Sequence, residues 1–140
     1  MAPYVDGIFI TITQKNDAVE KIAKSFGANI SHYKWDNNFA NARNFNFQQV
    51  TPDYTHILWA DADDVFRHLG KLRGVLKEHP HVDAFGMMYL YDFDEDKQPT
   101  VVHQKTQVVK NNDCVEWRGA LHEDFHNKRS IETFLINGRS

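Results

Sequence analysis

Three aspartates come directly after an apolar run: Asp61, Asp63 and Asp64 succeed Ile57-Leu-Trp-Ala60. Carboxylates at the end of a buried strand are costly unless positive charge compensates them, and a divalent cation would. Residues two apart in an extended segment face the same way, so Asp61 and Asp63 are expected to converge on one ion, or on an ion plus a ribose hydroxyl. Hard oxygen donors suit Mg²⁺ or Mn²⁺, which keep positions open for phosphate oxygens. The competing reading is a solvated turn in which Asp63 or Asp64 caps a helix beginning near Val65.

Two further clusters carry chemistry. Arg43 lies four residues after Phe39 and four before Phe47, on one stripe of a predicted helix with two aromatics, where a guanidinium either snorkels to solvent or is aimed at an anion. Residues 122–126, His-Glu-Asp-Phe-His, fit the HExxH pattern of zinc metallopeptidases, with His122 and His126 as ligands, Glu123 as base and Glu132 at third-ligand distance. That site needs its motif inside a long helix, whereas Trp117-Arg-Gly-Ala-Leu121 reads as strand or turn, and Arg129 stands where a metzincin turn requires Gly. Trp117, next to this segment, is a candidate for stacking on a sugar or base. The run Asp92–Asp96 lacks a calcium loop's turn glycine and bidentate glutamate, since Lys97 and His103 stand there, and reads as a solvated hairpin tip.

Periodicity predicts the scaffold that holds these groups. Residues 8–13 are β-branched or aromatic and read as a buried strand entered from Asp6-Gly7. Asp17 and Glu20 fit a capping box, Val19, Ile22, Ala23 and Phe26 recur at helical spacing, and Gly27 offers a left-handed stop. Residues 28–35 read as a strand, 38–50 as a helix and 55–60 as a strand, a β-α-β-α-β order that predicts a parallel sheet with ligands at its carboxyl edge. A helix over 65–78, carrying Val65, Phe66, Leu69, Leu72 and Leu76 and stopped by Pro80, is expected next. Residues 82–91 and 100–110 predict a hairpin, and 115–121 a last strand.

Composition excludes several classes of function. With 140 residues, 41% hydrophobic and 25% charged, the chain is long enough for one buried core and too rich in apolar residues to be disordered. A net charge of −3 and no dense basic run argue against capture of nucleic acid or of an anionic membrane. Cys114 is the single cysteine, which excludes an intramolecular disulfide and favours a reducing, cytoplasmic setting. No apolar run approaches the roughly 20 residues of a membrane span.

Taken in order, three segments resemble the family 2 glycosyltransferases of the GT-A fold, in the form found in a bacterial and phage subgroup. Trp35-Asp-Asn-Asn-Phe-Ala-Asn-Ala-Arg-Asn44 is similar to the family's W-x-x-D/N-F-x-x-A-R-N helix, and Ile57-Leu-Trp-Ala-Asp-Ala-Asp-Asp64 to its DXD strand. Val115-Glu-Trp-Arg-Gly-Ala-Leu-His-Glu123 resembles a W-x-G-x-x-H-E segment. The resemblance implies an α/β, Rossmann-like mixed sheet with flanking helices and a nucleotide-sugar donor. It also implies a saccharide, lipid-linked or protein acceptor, and Mn²⁺ or Mg²⁺ as cofactor. By the same carry-over Asp61 contacts the donor near its ribose, Asp63 ligates the metal, Arg43 lies beside the nucleotide, and His122 is a further metal or diphosphate contact. Glu123, with Asp124 in reserve, is the catalytic base. Of the family's D-x-G-S-x-D turn only Asp17 matches. The chain is therefore expected to be one partial domain, 1–140, lacking the family's first strand and helix, with an open sheet edge available for self-association. A zinc peptidase and a non-catalytic binding remnant are the alternatives.

Overall fold

The computed structural model describes residues 2–136, so the outermost residues of the expected 1–140 span lie outside it. In chain order the elements are β1 (Phe9–Ile12), α1 (Asp17–Ser25), β2 (Asn29–His32), α2 (Phe39–Gln48) and β3 (His56–Leu58). After these come α3 (Leu72–Glu78), β4 (Ala84–Phe93), β5 (Pro99–Lys110), β6 (Val115–Arg118), β7 (Asp124–Asn127) and β8 (Thr133–Ile136). They fall into two compact units, the first reaching to Ile57 and including Asn111–Arg129, the second made of Leu58–Lys110 with the described residues from Ser130 onward.

In the first unit β1 and β2 pair in parallel, Ile10 opposite Ile30, and α1 is the crossover between them. Asn16, rather than Asp17, caps α1: its backbone is extended (φ −149°, ψ 95°) and its side chain accepts from the Val19 amide, whereas Asp17 is already the first helical residue. The other end stops as expected. Gly27 takes φ +69°, with its amide on Lys24 and the Ala28 amide on Ala23, a Schellman closure. Ala23 is buried, while Val19, Ile22 and Phe26 of the predicted stripe are exposed.

Helix α2 is held by its asparagines more than by an apolar face. Asn38 caps it by accepting from the Asn41 amide, Asn46 donates to the Thr11 hydroxyl at 2.8 Å, and Asn44 reaches β6. Strands β6 and β7 form an antiparallel hairpin with Trp117 opposite Phe125.

The four-stranded sheet has the order β3-β5-β4-β8 and is mixed: β4 runs antiparallel to β5 and parallel to β8. The hairpin of β4 and β5 matches the sequence expectation. Val82, Phe85 and Val108 form the second unit's core, against which Leu72 and Leu76 of α3 pack. Two expectations are corrected. The three early strands do not make one parallel sheet, since β3 joins the sheet of β5 while β1 and β2 pair with each other. The helix predicted over 65–78 begins only with a 3-10 turn at Leu69–Lys71, because His68 adopts a left-handed conformation (φ 62°) and Val65 is 87% exposed.

Candidate active site

In the second unit the chain leaves β3 at Leu58, and Trp59 is fixed at once. Its indole donates to the Thr106 carbonyl at 2.7 Å, its amide to the Gln107 carbonyl at 3.1 Å, and the buried Gln107 amide returns a bond to the Trp59 carbonyl at 2.8 Å. Beyond Ala60 the chain forms a turn, not an extended strand end: the Asp64 amide donates to the Asp61 carbonyl at 3.1 Å, and the Asp61 amide to Asp64 Oδ2 at 2.9 Å. The two-residue alternation expected to align Asp61 with Asp63 therefore does not apply, and no helix starts at Val65 for Asp63 or Asp64 to cap.

Asp64 is committed to this turn, since its Oδ1 accepts from the Tyr89 hydroxyl at 3.0 Å. That bond, and then the Asp64 charge, hold the Tyr89 phenol above its ordinary value, so it remains a donor. Asp63 is exposed at the turn's crest, and Asp61 Oδ2 lies 3.5 Å from the Lys105 ammonium. Among the described residues no three His, Cys, Asp or Glu side chains are gathered for a metal. Two hard carboxylates nonetheless fit Mg²⁺ or Mn²⁺, which commonly take one or two from the protein and the remainder from phosphate and water.

In the first unit α2 and the β6-β7 hairpin carry the second cluster. Arg43 Nε donates to Glu123 Oε1 at 2.8 Å, and the guanidinium carbon stands 4.8 Å from the centre of the Trp117 ring. Arg43 is thus neither snorkelling nor facing open solvent; its side chain is 24% exposed and that of Glu123 14%. Trp117 is 4% exposed and packs on Phe125, ring centres 4.0 Å apart, so its ring supports Arg43 and offers no open platform for stacking on a ligand. Glu123 ends a loop that Gly119 makes possible: at φ +104° a Cβ there would lie 2.6 Å from the His122 carbonyl oxygen. His122 and Asp124 are exposed, and Asp124 Oδ1 accepts from the Phe125 amide.

Asn44 sets the spacing of this cluster. Its side chain donates to the Trp117 carbonyl at 2.9 Å and accepts from the Trp117 amide at 2.8 Å, pairing with β6 as another strand would. Asn44→Leu leaves both main-chain groups short of a partner, so a loss of about 2–4 kcal/mol is expected in urea unfolding. A change below about 0.5 kcal/mol would show that water serves equally well.

A cleft of about 490 Å³ opens beyond the carboxyl ends of the parallel strands β1 and β2, lined by Thr13, Gln14, Lys15, Asp17, Tyr33 and Lys34 among others. This is where open α/β sheets bind ligands. Asp17, the one matching residue of the family's turn, is among its walls.

The HExxH reading fails on geometry. His122 lies in a loop and His126 in β7, opposite Glu116, so the one-turn helical spacing that brings both imidazoles to one zinc is absent. Sequence reasoning assigned nothing to Lys105, Tyr89 or Asn44. The first two are distant from the aspartates along the chain, and no local spacing signals them. Asn44 closes the Trp35–Asn44 motif, and the signal available was an asparagine beside an arginine in a helix poor in apolar periodicity.

No curated protein matches the chain. The family model described as Glycosyl transferase family 2 matches residues 4–136, nearly its whole length. The mixed α/β fold with flanking helices is that of a GT-A-like domain. The chain belongs to glycosyl transferase family 2.

Proposed function

We propose that the protein transfers a glycosyl group from a nucleotide-diphosphate sugar to an acceptor hydroxyl, inverting the anomeric carbon, with Mg²⁺ or Mn²⁺ as cofactor. The observation that carries this reading is the acidic turn after β3, in which Asp64 is spent on structure, Asp63 is exposed and Asp61 faces the Lys105 ammonium. Asp63, with Asp61, would hold the ion. A bound divalent ion offsets charge that builds on the departing diphosphate more in the transition state than in the ground state.

The bond from the anomeric carbon to the diphosphate oxygen breaks with its electron pair leaving on phosphate, and the acceptor oxygen bonds that carbon from the opposite face. Glu123 takes the acceptor's proton, since a hydroxyl is a poor nucleophile until it is released. Arg43 holds that carboxylate in one orientation, and Asp124 is the reserve base. Asp17 and its cleft are assigned to the nucleoside, and His122 to the diphosphate or its ion. The acceptor hydroxyl belongs to a saccharide, a lipid-linked sugar or a protein. A cytoplasmic setting fits the single, buried Cys114, and no helix among the described residues is long and apolar enough to cross a membrane. Self-association would use an open edge of the β1-β2 sheet.

Thermal melting with a panel of nucleoside diphosphates, each with and without Mn²⁺, tests the reading. One nucleotide is expected to raise the melting temperature only when Mn²⁺ is present, and at a hundred times Kd the gain is about 2.7 kcal/mol. An unmoved transition across the whole panel would leave a binding remnant as the better description.

A further inference from the structure

We propose that Lys105 is a built-in counter-cation of the acidic turn, which competes with a divalent ion for Asp61 and so weakens ion binding until a donor's phosphates arrive. The inference rests on the reading of Asp61 and Asp63 as ion ligands. Three separate devices fix the ammonium. Its Nζ lies 3.5 Å from Asp61 Oδ2, 4.5 Å from the centre of the Trp59 ring and 4.5 Å from that of Tyr89. Each ring is itself pinned, Trp59 by its indole bond to the Thr106 carbonyl and Tyr89 by its hydroxyl bond to Asp64.

A lysine seldom surrenders its freedom for one exposed carboxylate. Here it does so between two aromatic faces, with its side chain 29% exposed. Three carboxylates and one ammonium leave the turn at a net −2, so an ion binding Asp61 must either displace Lys105 from its cage or sit a few ångströms from a like charge. The phosphates of a donor would add negative charge and tip that balance. Ion and donor would then bind with positive coupling.

Titration with Mn²⁺ alone, following free Mn²⁺ by electron paramagnetic resonance, tests this on the whole chain. Lys105→Met, which keeps the length and loses the charge, is expected to bind Mn²⁺ about tenfold more tightly than the unaltered protein, and Lys105→Arg about equally. The gain should shrink in high salt, because the repulsion is screened there. Lys105→Gln repeats the test should the methionine variant not fold. Binding by the unaltered protein that equals or exceeds that of the charge-free variants overturns the competition alone. Failure of every form to take up Mn²⁺, even with the full nucleoside diphosphate panel, overturns the ion site and this proposal together.

Discussion

Asp63→Ala is expected to abolish metal-dependent transfer, with kcat/KM falling by about 10³-fold, while the protein melts within about 1 kcal/mol of the unaltered chain. The separation of the two effects comes from how the turn is built. Its closing bonds run between Asp61 and Asp64, and its anchor to β4 runs from Tyr89 to Asp64. Asp63 is exposed and its carboxylate makes none of these bonds. Asp64→Ala provides the contrast: it removes an acceptor from the Asp61 amide and another from the Tyr89 hydroxyl, so stability should fall with activity. The measurement is turnover of the nucleotide sugar matching the diphosphate found by melting, beside circular dichroism of each variant. Equal loss of helicity and of turnover in Asp63→Ala would make Asp63 a structural residue and remove the ion from the mechanism.

The parts of the fold that were legible are those whose signals are local. Gly27 ends α1 because only a residue without Cβ takes φ +69° cheaply, and two strand-like runs, 82–91 and 100–110, joined by a polar stretch predicted the hairpin of β4 and β5. Where the outcome depended on partners far along the chain, local pattern misled. Val65, Phe66 and Leu69 have helical spacing, yet His68 breaks the run and the helix waits for Leu72, whose side chain has the core of Val82, Phe85 and Val108 to pack on. The aspartates were legible as chemistry but not as geometry. A strand end and a β-turn have the same composition here, and the bonds from Tyr89 and to Asp61 decide between them. Arg43 could be singled out from its stripe, but its partner Glu123 lies 80 residues away, and no spacing rule links α2 to the loop before β7. The family motifs hold both residues without saying that they touch.

Glu123→Gln is expected to lower kcat by about 10²- to 10⁴-fold with little change in donor KM, because the amide cannot accept the acceptor's proton. The substitution is chosen for what it preserves. Glutamine keeps an oxygen for the Arg43 Nε–H, and Arg43 keeps its place over Trp117, so the packing of Phe47, Trp117 and Phe125 need not change. A structural role for Glu123 predicts the reverse pattern: a lower melting temperature from weakening a half-buried charge pair, and turnover reduced only as far as the folded fraction is. Two neighbours sharpen the test. Asp124→Asn should retain turnover within a few fold if Glu123 is the base, and should carry the loss instead if the reserve assignment is right. His126→Ala should leave turnover unchanged, since the transferase reading gives no role to this residue, which in β7 stands opposite Glu116, whereas a zinc peptidase would lose a metal ligand. Arg43→Met separates orientation of the base from contact with the donor. It frees the Glu123 carboxylate without removing it, so kcat should fall less than in Glu123→Gln if Arg43 only orients the base, and at least as far if the guanidinium itself meets the donor.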